Sequence, residues 1–497
     1  MTLTDVRKAG IIGAGVSGLA TAKQLISQGI ECTVFERGKT LGGVWADGYA
    51  NFGVQVQKEL YEFPEYPLPK EVANFTAGPV FQKYLEDYAR EFDVFPHIRF
   101  SSSVTEIAER PRNQPGWVVR SEQNGVAREE EFDLVLVCVG LYSSTPNMPE
   151  FPGQDHFEGR VMHISELKDT EVLEGKKVAV VGYGKSATDA AVESAKVASE
   201  TTVIFREPHW PVPAKLLGIL PFKWAMLNRL TSALIPPYYR PSGLTKAVQI
   251  LASPLLWLWW RIVEGLLMAQ CSLWSRFGTR PSLVPKTPVE IDVFGEATMV
   301  PRPAFFKLIR KGVIQPQRTE IAKYTPKGVS LKNGEQLDLD VVIMATGWET
   351  DYSFLPTQAQ ANIDFEEDGF YLYRQMVHPD VDNLVFIGST STFMNILTFS
   401  LQARWLGELV KGNHQLPARA EMHQDIADLK TWKREWMPFS KARGARILLH
   451  MHHYHDQLLR DFGASPLRKK GIFAPFKEAL APYQPSDYRL VVSGEWR

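Results

Sequence analysis

Glycines at two places in the chain have the spacing that brings a peptide backbone against a nucleotide pyrophosphate. The two groups are Gly13, Gly15 and Gly18, and then Gly182 and Gly184 followed by Ala187 in the third position. In such a motif the first glycine makes a tight turn, the second admits the pyrophosphate, and the third residue lets helix and strand pack closely. Two such motifs predict two dinucleotides held so that electrons pass between them.

An acidic residue closes the first motif. Glu36 follows the apolar run Cys32–Phe35, about 20 residues after the glycines. A carboxylate at this position accepts hydrogen bonds from ribose hydroxyls and repels a 2′-phosphate. The first site is therefore predicted to bind FAD or NAD rather than NADP.

An arginine closes the second motif. Arg206 follows the strand pattern Thr202–Phe205, and its planar fork is suited to phosphate, so this site is predicted to favour NADPH. A surface arginine with no ligand is the alternative. Lys185 and Ser186 can add contacts to the pyrophosphate. Asp189, one turn into the helix, either helps to orient the nicotinamide or supports the helix N-terminus.

Each motif needs a strand before it and a helix after it. The apolar runs Ala9–Ile12 and Lys177–Val181 are predicted strands, and Val16–Ser27 has apolar residues at helical spacing. A helix that begins at the glycines directs free N–H groups and a partial positive charge at phosphate. The pattern predicts an α/β fold with two dinucleotide-binding, Rossmann-like domains.

A second glycine pair follows the acidic strand. Gly42 and Gly43 permit another close backbone contact with the cofactor, with Val44 and Trp45 beside it, and Trp45 could cover the cofactor. A plain turn with a core tryptophan is the alternative.

The composition is that of an ordinary globular protein. The chain has 497 residues, 44% of them hydrophobic, and a net charge of −1, so nothing indicates a nucleic-acid partner. Cys32, Cys138 and Cys271 are far apart, which argues against a dithiol centre or structural zinc. Met1–Lys8 is too short and polar for a secretion signal, and sparse cysteine fits a reducing compartment. The expected location is cytoplasmic.

One apolar stretch is unusual. Val248–Trp274 holds four tryptophans among many leucines and is interrupted by Pro254 and Arg261. Because the clean apolar run is shorter than a membrane span, the stretch predicts a buried or interfacial helix, with peripheral membrane contact as one outcome. A segment of the core or of a substrate channel is an equal alternative.

The chain resembles the flavin-containing monooxygenases (class B, dimethylaniline monooxygenase-like) from about Ala9 to about Gly412. Beyond the two glycine motifs, the similar segments are Glu59–Pro67, Val137–Gly140, Met344–Trp348, Asn383–Gly388 and Leu401–Trp405. The resemblance implies FAD and NADPH as cofactors, a flavin domain that the nicotinamide domain interrupts, and cofactor contacts at Gly388 and Gln402.

The family's linker motif is incomplete. Phe157, Gly159 and His163 match it, but Leu167 stands where the family has an aromatic residue. Baeyer–Villiger relatives have an aromatic followed by Pro or Asp, whereas here Lys168 follows Leu167, which lowers the expectation of lactone-forming chemistry. We interpret His163 as part of a linker that positions the domains, with a core histidine as the alternative.

A second departure lies near the expected flavin ring. Alignment on the Glu59–Pro67 segment places Gln55, after Val54, where the family has asparagine. Glutamine keeps the amide on a longer side chain, so Gln55 is the candidate catalytic group that hydrogen-bonds the flavin or its activated oxygen.

These observations predict a domain order. The flavin domain comprises residues 1–150 and 346–412, the nicotinamide domain 151–345 with a hydrophobic insert at 211–288, and an extension 413–497 follows. The insert is expected to face the substrate or a membrane.

The extension contains a histidine cluster: His450, His452, His453 and His455. It lacks carboxylates or cysteines at metal-ligand spacing, so a solvated helix end is predicted rather than a metal site.

The resulting hypothesis is an NADPH- and O₂-dependent flavin monooxygenase that transfers one oxygen atom to a small molecule, with amine nitrogen or sulfide sulfur favoured. Baeyer–Villiger oxidation, epoxidation and hydroxylation stay open, as does a role in secondary metabolism. An NADPH oxidase or flavin reductase without oxygen transfer is an alternative from another reaction class. A nucleotide-binding protein without turnover is the third.

Overall fold

The computed structural model describes residues 5–111, 114–142, 145–271, 273–275, 278–279, 282–293, 302 and 304–496. Two five-stranded parallel sheets dominate them. In spatial order, the first sheet contains Leu384–Phe386, Leu134–Val137, Lys8–Ile12, Glu31–Phe35 and Ile98–Arg99. The second contains Ile314–Arg318, Glu200–Phe205, Lys177–Val181, Val341–Met344 and Arg160–His163.

Each sheet has a glycine turn and a helix after its central strand. Helix Val16–Ile26 follows the first turn, and helix Lys185–Val197 follows the second. The central strands are almost wholly buried, as is typical of parallel sheets with helices on their faces. The predicted α/β class with two Rossmann-like domains is confirmed.

The second sheet is inserted into the first. All its strands lie in the chain between Leu134–Val137 and Leu384–Phe386 of the first sheet. The two connections run side by side, since Thr145–Pro146 pairs with Trp348–Glu349. The Nε2 atom of His163 lies 3.1 Å from the carbonyl oxygen of Gly347 on the return connection. The exact domain limits remain a prediction.

The first five-stranded sheet with its helices is called the first unit below, and the second sheet with its helices the inserted unit. Smaller sheets complete the two units. Three-stranded antiparallel sheets comprise Ser102–Glu109, Trp117–Gln123 and Val126–Phe132, and Ile321–Thr325, Gly328–Leu331 and Gln336–Asp338. Two-stranded pairs are Lys215–Leu216 with Leu220–Pro221, Trp274–Ser275 with Gly278–Thr279, and Ser391–Thr392 with Arg446–Leu448. The other helices are Gly78–Glu91, Phe222–Met226, Arg229–Ala233, Gly243–Gln270, Val289–Asp292, Ala304–Arg310, Thr357–Ile363, Asn395–Val410, Arg419–Trp436, Met451–Asp461, Ala474–Leu480 and Arg489–Ser493.

Residues 248–270 of the unusual apolar stretch form part of one long helix, Gly243–Gln270, which continues through Pro254. Only Trp260 and Leu267 of this helix are buried. Trp257 is 60% exposed and Leu251 is 82% exposed. The expectation of a buried or core segment is therefore wrong, because the apolar side chains point mostly away from the protein. Within the described ranges, this is the one helix long and apolar enough to cross a membrane.

The C-terminal extension is part of the first core. Helix Met451–Asp461 packs on Asn395–Val410, which itself packs on Val16–Ile26. His450 and His455 are 2% and 0% exposed, and burial lowers the pKa of each to about 3. The predicted solvated helix end is therefore wrong. These histidines are neutral packing groups, because charging an imidazole in the interior is costly.

Candidate functional site

In the turn after the central strand of the first sheet, two of the glycine positions have no room for a side chain. Gly13 has φ +101°, and a Cβ atom there would lie 2.7 Å from the carbonyl oxygen of Cys138. A Cβ atom on Gly18 would lie 1.9 Å from the carbonyl oxygen of Gly13. Gly15 differs, because its Cβ atom would meet only Gly43, at 3.8 Å. The space above Gly15 is therefore open beside the helix N-terminus. The turn Gly13–Gly18 with this open space is called the first cradle below.

Glu36 is fixed at the rim of this turn. It is 8% exposed. Its Oε2 accepts a 2.9 Å hydrogen bond from the Ala14 amide, and its Oε1 accepts a 2.7 Å bond from the Gly38 amide. Each oxygen keeps a second lone pair, so the carboxylate can still accept a ribose hydroxyl.

The second glycine pair lies directly over the first turn. Gly42 has φ +116°, and its amide donates to the carbonyl oxygen of Ala14 at 2.9 Å. The short 3₁₀ helix Gly43–Trp45 follows. The Trp45 ring is 9% exposed and packs 4.5 Å, centroid to centroid, from Phe81, whereas Val44 is exposed. The turn thus places the backbone of Gly43 over Gly15 and leaves Val44 exposed, while Trp45 is mostly within the core.

Gly388 and Gln402 meet beside the same turn. A Cβ atom on Gly388, which has φ +95°, would lie 2.5 Å from Oγ of Ser17. The Gln402 amide is fully buried, accepts from the Gly388 amide at 3.4 Å and donates to Tyr454 at 2.8 Å. Gln402 therefore supports the Gly388 loop through contacts within the protein.

The turn Gly182–Ala187 of the second sheet, called the second cradle below, repeats this geometry. Gly182 has φ +129°, and a Cβ atom there would lie 2.5 Å from the carbonyl oxygen of Ala345. A Cβ atom on Gly184 would meet no described atom within 4 Å. Ala187 is fully buried in the position of the third glycine. The cradle is again closed below and open at the helix N-terminus.

Arg206 is exposed at the end of its strand. A second arginine lies beside it, because Phe205 pairs with Arg318 on the neighbouring strand. Arg318 and Lys286 both contact Glu207. Burial raises the pKa of Glu207 and the hydrogen bond from Arg318 lowers it, with a net downward shift. The rim is therefore rich in cations around one ionised carboxylate. Sequence reasoning missed Arg318, because only the strand pairing places it here.

Lys185 and Asp189 form an ion pair on the first turn of helix Lys185–Val197. Asp189 is fully buried, and Ser186 lies between the two residues in sequence. Burial lowers the pKa of Lys185, and the nearby Asp189 carboxylate opposes that shift. Asp189 also accepts a 2.8 Å hydrogen bond from the Tyr49 hydroxyl, a residue that the motifs did not indicate.

Gln55 is exposed and lines a groove between the two units, and Val54 behind it is buried. The groove is lined by Gln55, Val56, Gln57, Leu60, Phe75, Val212, Pro213, Ala214, Phe222 and Lys223. The predicted candidates thus separate into three places: a first cradle, a second cradle and this groove.

The two cradles fit the two predicted cofactors. Both have turns in which a Cβ atom cannot be placed and an open helix N-terminus, which suits a pyrophosphate. Directly after the second strand of each motif, where the motif predicts the adenosine ribose, the first cradle has a carboxylate and the second has an exposed arginine. Glu36 and Arg206 are therefore the residues that would distinguish FAD from NADPH.

Comparison with known proteins agrees with this geometry. The profile of the "Flavin-binding monooxygenase-like" family matches residues 6–237 and 306–497. "Probable flavin-containing monooxygenase 1" of Arabidopsis thaliana is 30% identical over 98% of this chain and 97% of its own length. "Dimethylaniline monooxygenase [N-oxide-forming] 2" of Oryctolagus cuniculus is 28% identical over 99% of this chain and 90% of its own.

A solved structure shares the fold. S-allyl-L-cysteine S-oxygenase from Allium sativum superposes with a TM-score of 0.65 and 20% identity, covering 98% of this chain and 92% of that one. With the family match across most of the chain, the predicted use of FAD and NADPH and the predicted monooxygenase class are confirmed. The chain belongs to the flavin-binding monooxygenase-like family.

Proposed function

We propose that the enzyme transfers one oxygen atom from O₂ to a sulfide sulfur or amine nitrogen of a small, largely apolar molecule. The observation that carries this proposal is the groove at Gln55, whose lining residues, among those that the structure describes, are mainly apolar and include no histidine, aspartate or glutamate. A soft nucleophile needs no proton transfer from the protein to accept oxygen, so such a lining suffices. The relatives whose names state N-oxide formation and S-oxygenation also support it.

The chain's own residues bind the two cofactors, orient the substrate and shield the reacting atoms from water. FAD, reduced by NADPH, supplies the activated oxygen when both are bound. Glu36 and the turn at Gly15 would hold FAD, while Arg206, Lys185 and Ser186 would hold NADPH. The overall reaction converts NADPH, H⁺, O₂ and substrate into NADP⁺, water and oxygenated substrate.

Residues of the groove are assigned the contact with the flavin and the exclusion of water. We assign Gln55 the hydrogen bond to the flavin or its activated oxygen. The insert supplies Val212, Pro213 and Phe222 to the other wall and so excludes water from the reacting atoms. Lys223 and Glu59 form an ion pair at the edge of the groove.

The test is product analysis under ¹⁸O₂ with thioanisole, N,N-dimethylaniline and cyclohexanone. We expect labelled sulfoxide or N-oxide, one label per NADPH consumed. Hydrogen peroxide equal to the NADPH consumed, with no labelled product, would instead support an NADPH oxidase. Lactone as the main labelled product would contradict the soft-nucleophile assignment in favour of the Baeyer–Villiger alternative.

We further propose that helix Gly243–Gln270 lies in the interface of a lipid bilayer. Its contacts to the protein are spread along its length: Gln249 Nε2 donates to Ala233, Trp260 Nε1 to Leu234, Gln270 Nε2 to Lys215, and Glu264 accepts from Val289. A helix held along the surface in this way cannot also cross a bilayer. An apolar face with exposed tryptophans is suited to the boundary of acyl chains and headgroups.

Vesicle flotation tests this placement. Replacing Trp257 and Trp259 with serine is expected to lower binding to phosphatidylcholine–phosphatidylserine vesicles at least about tenfold, because both rings are exposed and would lose burial in lipid. Replacing the exposed Val126 and Tyr142, which lie outside the helix, with serine is the control. Equal flotation of wild type and the tryptophan variant, or no flotation of either, would contradict the proposal.

A further inference from the structure

A short segment of the first unit contacts the helix that forms the second cradle. The Tyr49 hydroxyl donates to Oδ2 of Asp189 at 2.8 Å, and Nδ2 of Asn51 donates to Oε2 of Glu193 at 2.9 Å. The partners are 140 and 142 residues apart in sequence. The two acids lie one helical turn apart, so the segment follows one face of helix Lys185–Val197.

Arg302 joins both sides of this contact. Its Nε donates to Oδ1 of Asp189 at 3.0 Å, and one terminal nitrogen contacts Glu193. The other terminal nitrogen donates to the backbone carbonyl of Asn51. One guanidinium thus bonds to two carboxylates and to the facing segment, which the fixed fork of arginine permits and a lysine would not.

These hydrogen bonds replace water around two carboxylates that are buried. Asp189 and Glu193 are 0% and 2% exposed, so each carboxylate depends on its protein partners for solvation. Lys185, which lies at the helix N-terminus, shares Asp189 with Arg302 and Tyr49. Asp189 therefore joins Lys185 at the second cradle directly to Tyr49 of the facing segment, and Glu193 adds a second buried link through Asn51.

The facing segment lies between two parts of the first site. The turn Gly43–Trp45 precedes it and lies over Gly15, and Gln55 follows it in the groove. A further backbone bond, from the Ala50 amide to the carbonyl oxygen of Leu167 at 2.6 Å, ties the segment to the inserted unit. The position of Gln55 is thereby linked to the helix that holds NADPH.

We propose that Arg302, with Tyr49 and Asn51, is a positioning clamp between the two nucleotide sites, and that it sets how much oxidised NADPH yields oxygenated substrate. The proposal rests on the proposed function. With the clamp broken, NADPH, H⁺ and O₂ give NADP⁺ and hydrogen peroxide in place of product. None of the three residues is assigned contact with the reacting atoms.

The first experiment uses hydrogen–deuterium exchange on the FAD-loaded protein without NADP⁺. Arg302→Gln is expected to increase amide exchange of segments 46–56 and 185–197 at least about tenfold, while the strand Lys8–Ile12 is unchanged. Tyr324→Phe is the matched control for Tyr49→Phe, the variant of the second experiment below, because the buried Tyr324 hydroxyl has no hydrogen-bond partner among the described residues. Unchanged exchange in both segments of Arg302→Gln would overturn the clamp, whatever the substrate.

The second experiment measures coupling, as product and hydrogen peroxide per NADPH. In Tyr49→Phe and Arg302→Gln we expect product per NADPH to fall at least about fivefold, while the KM for NADPH changes less than about threefold. Arg302→Lys, which keeps the charge but not the fork, should lie between Arg302→Gln and wild type. If wild type makes product and the variants stay coupled, the clamp is refuted. If wild type makes none, the proposed function fails, and the exchange experiment alone decides the clamp.

Discussion

Replacing Gly15 with valine is expected to give a folded protein that contains no flavin. Gly15 has φ −77°, which any residue adopts, and a Cβ atom there would meet only Gly43 at ordinary contact distance. The fold should therefore accept the larger side chain. FAD should no longer bind, since its pyrophosphate needs the space next to the helix N-terminus. Flavin absorbance per chain of the purified variant is expected to fall at least about tenfold.

Two further glycine variants make this result specific. Gly265→Val, in an open position on the exposed helix, should keep its flavin, because nothing lies within 4 Å of the added Cβ atom. Gly18→Ala should fail to fold, since its Cβ atom would lie 1.9 Å from a carbonyl oxygen. A folded Gly15→Val protein with full flavin content would show that the first cradle does not hold FAD.

Replacing Arg206 with alanine is expected to change the choice between nicotinamide cofactors. A hydrogen bond between arginine and phosphate contributes about 2 kcal/mol, roughly a 30-fold effect. The KM for NADPH should rise by about that factor, and the KM for NADH, which has no 2′-phosphate, should change less than about threefold. Steady-state NADPH and NADH oxidation by the purified protein provides both values.

Arg160→Ala is the matched control for this variant. It also removes an exposed arginine from the second sheet. Arg160 is the first residue of its strand, whereas Arg206 follows Phe205, the last residue of its strand, so the two arginines lie at opposite edges of the parallel sheet. It should leave both KM values unchanged. Equal changes in the two KM values of Arg206→Ala would refute its contact with the 2′-phosphate and would direct attention to Arg318.

Much of the fold could be predicted because each cradle is a local pattern. The strand Lys177–Val181 has the predicted bounds, and the strand Lys8–Ile12 is one residue longer than predicted. An apolar run, a glycine turn and an amphipathic helix are continuous in sequence, and the physics that joins them acts over a few residues.

The missed features depend on distant partners or on which way a side chain faces. The apolar pattern of Gly243–Gln270 is the same for a buried helix and an exposed one, so only the tertiary structure shows that most of it faces outward. His455 was predicted to be solvated, but Thr398, 57 residues earlier, hydrogen-bonds to it in the interior. Arg302 meets Asn51 across 251 residues, which no local motif can indicate.

The most direct test of the central claim, that opposite charges assign FAD to the first cradle and NADPH to the second, is a crystal structure with both FAD and NADP⁺ bound. We predict hydrogen bonds from Glu36 to the adenosine ribose of FAD, and from Arg206 to the 2′-phosphate of NADP⁺. NADP⁺ in the cradle of Gly13–Gly18, or a 2′-phosphate remote from Arg206, would contradict the assignment.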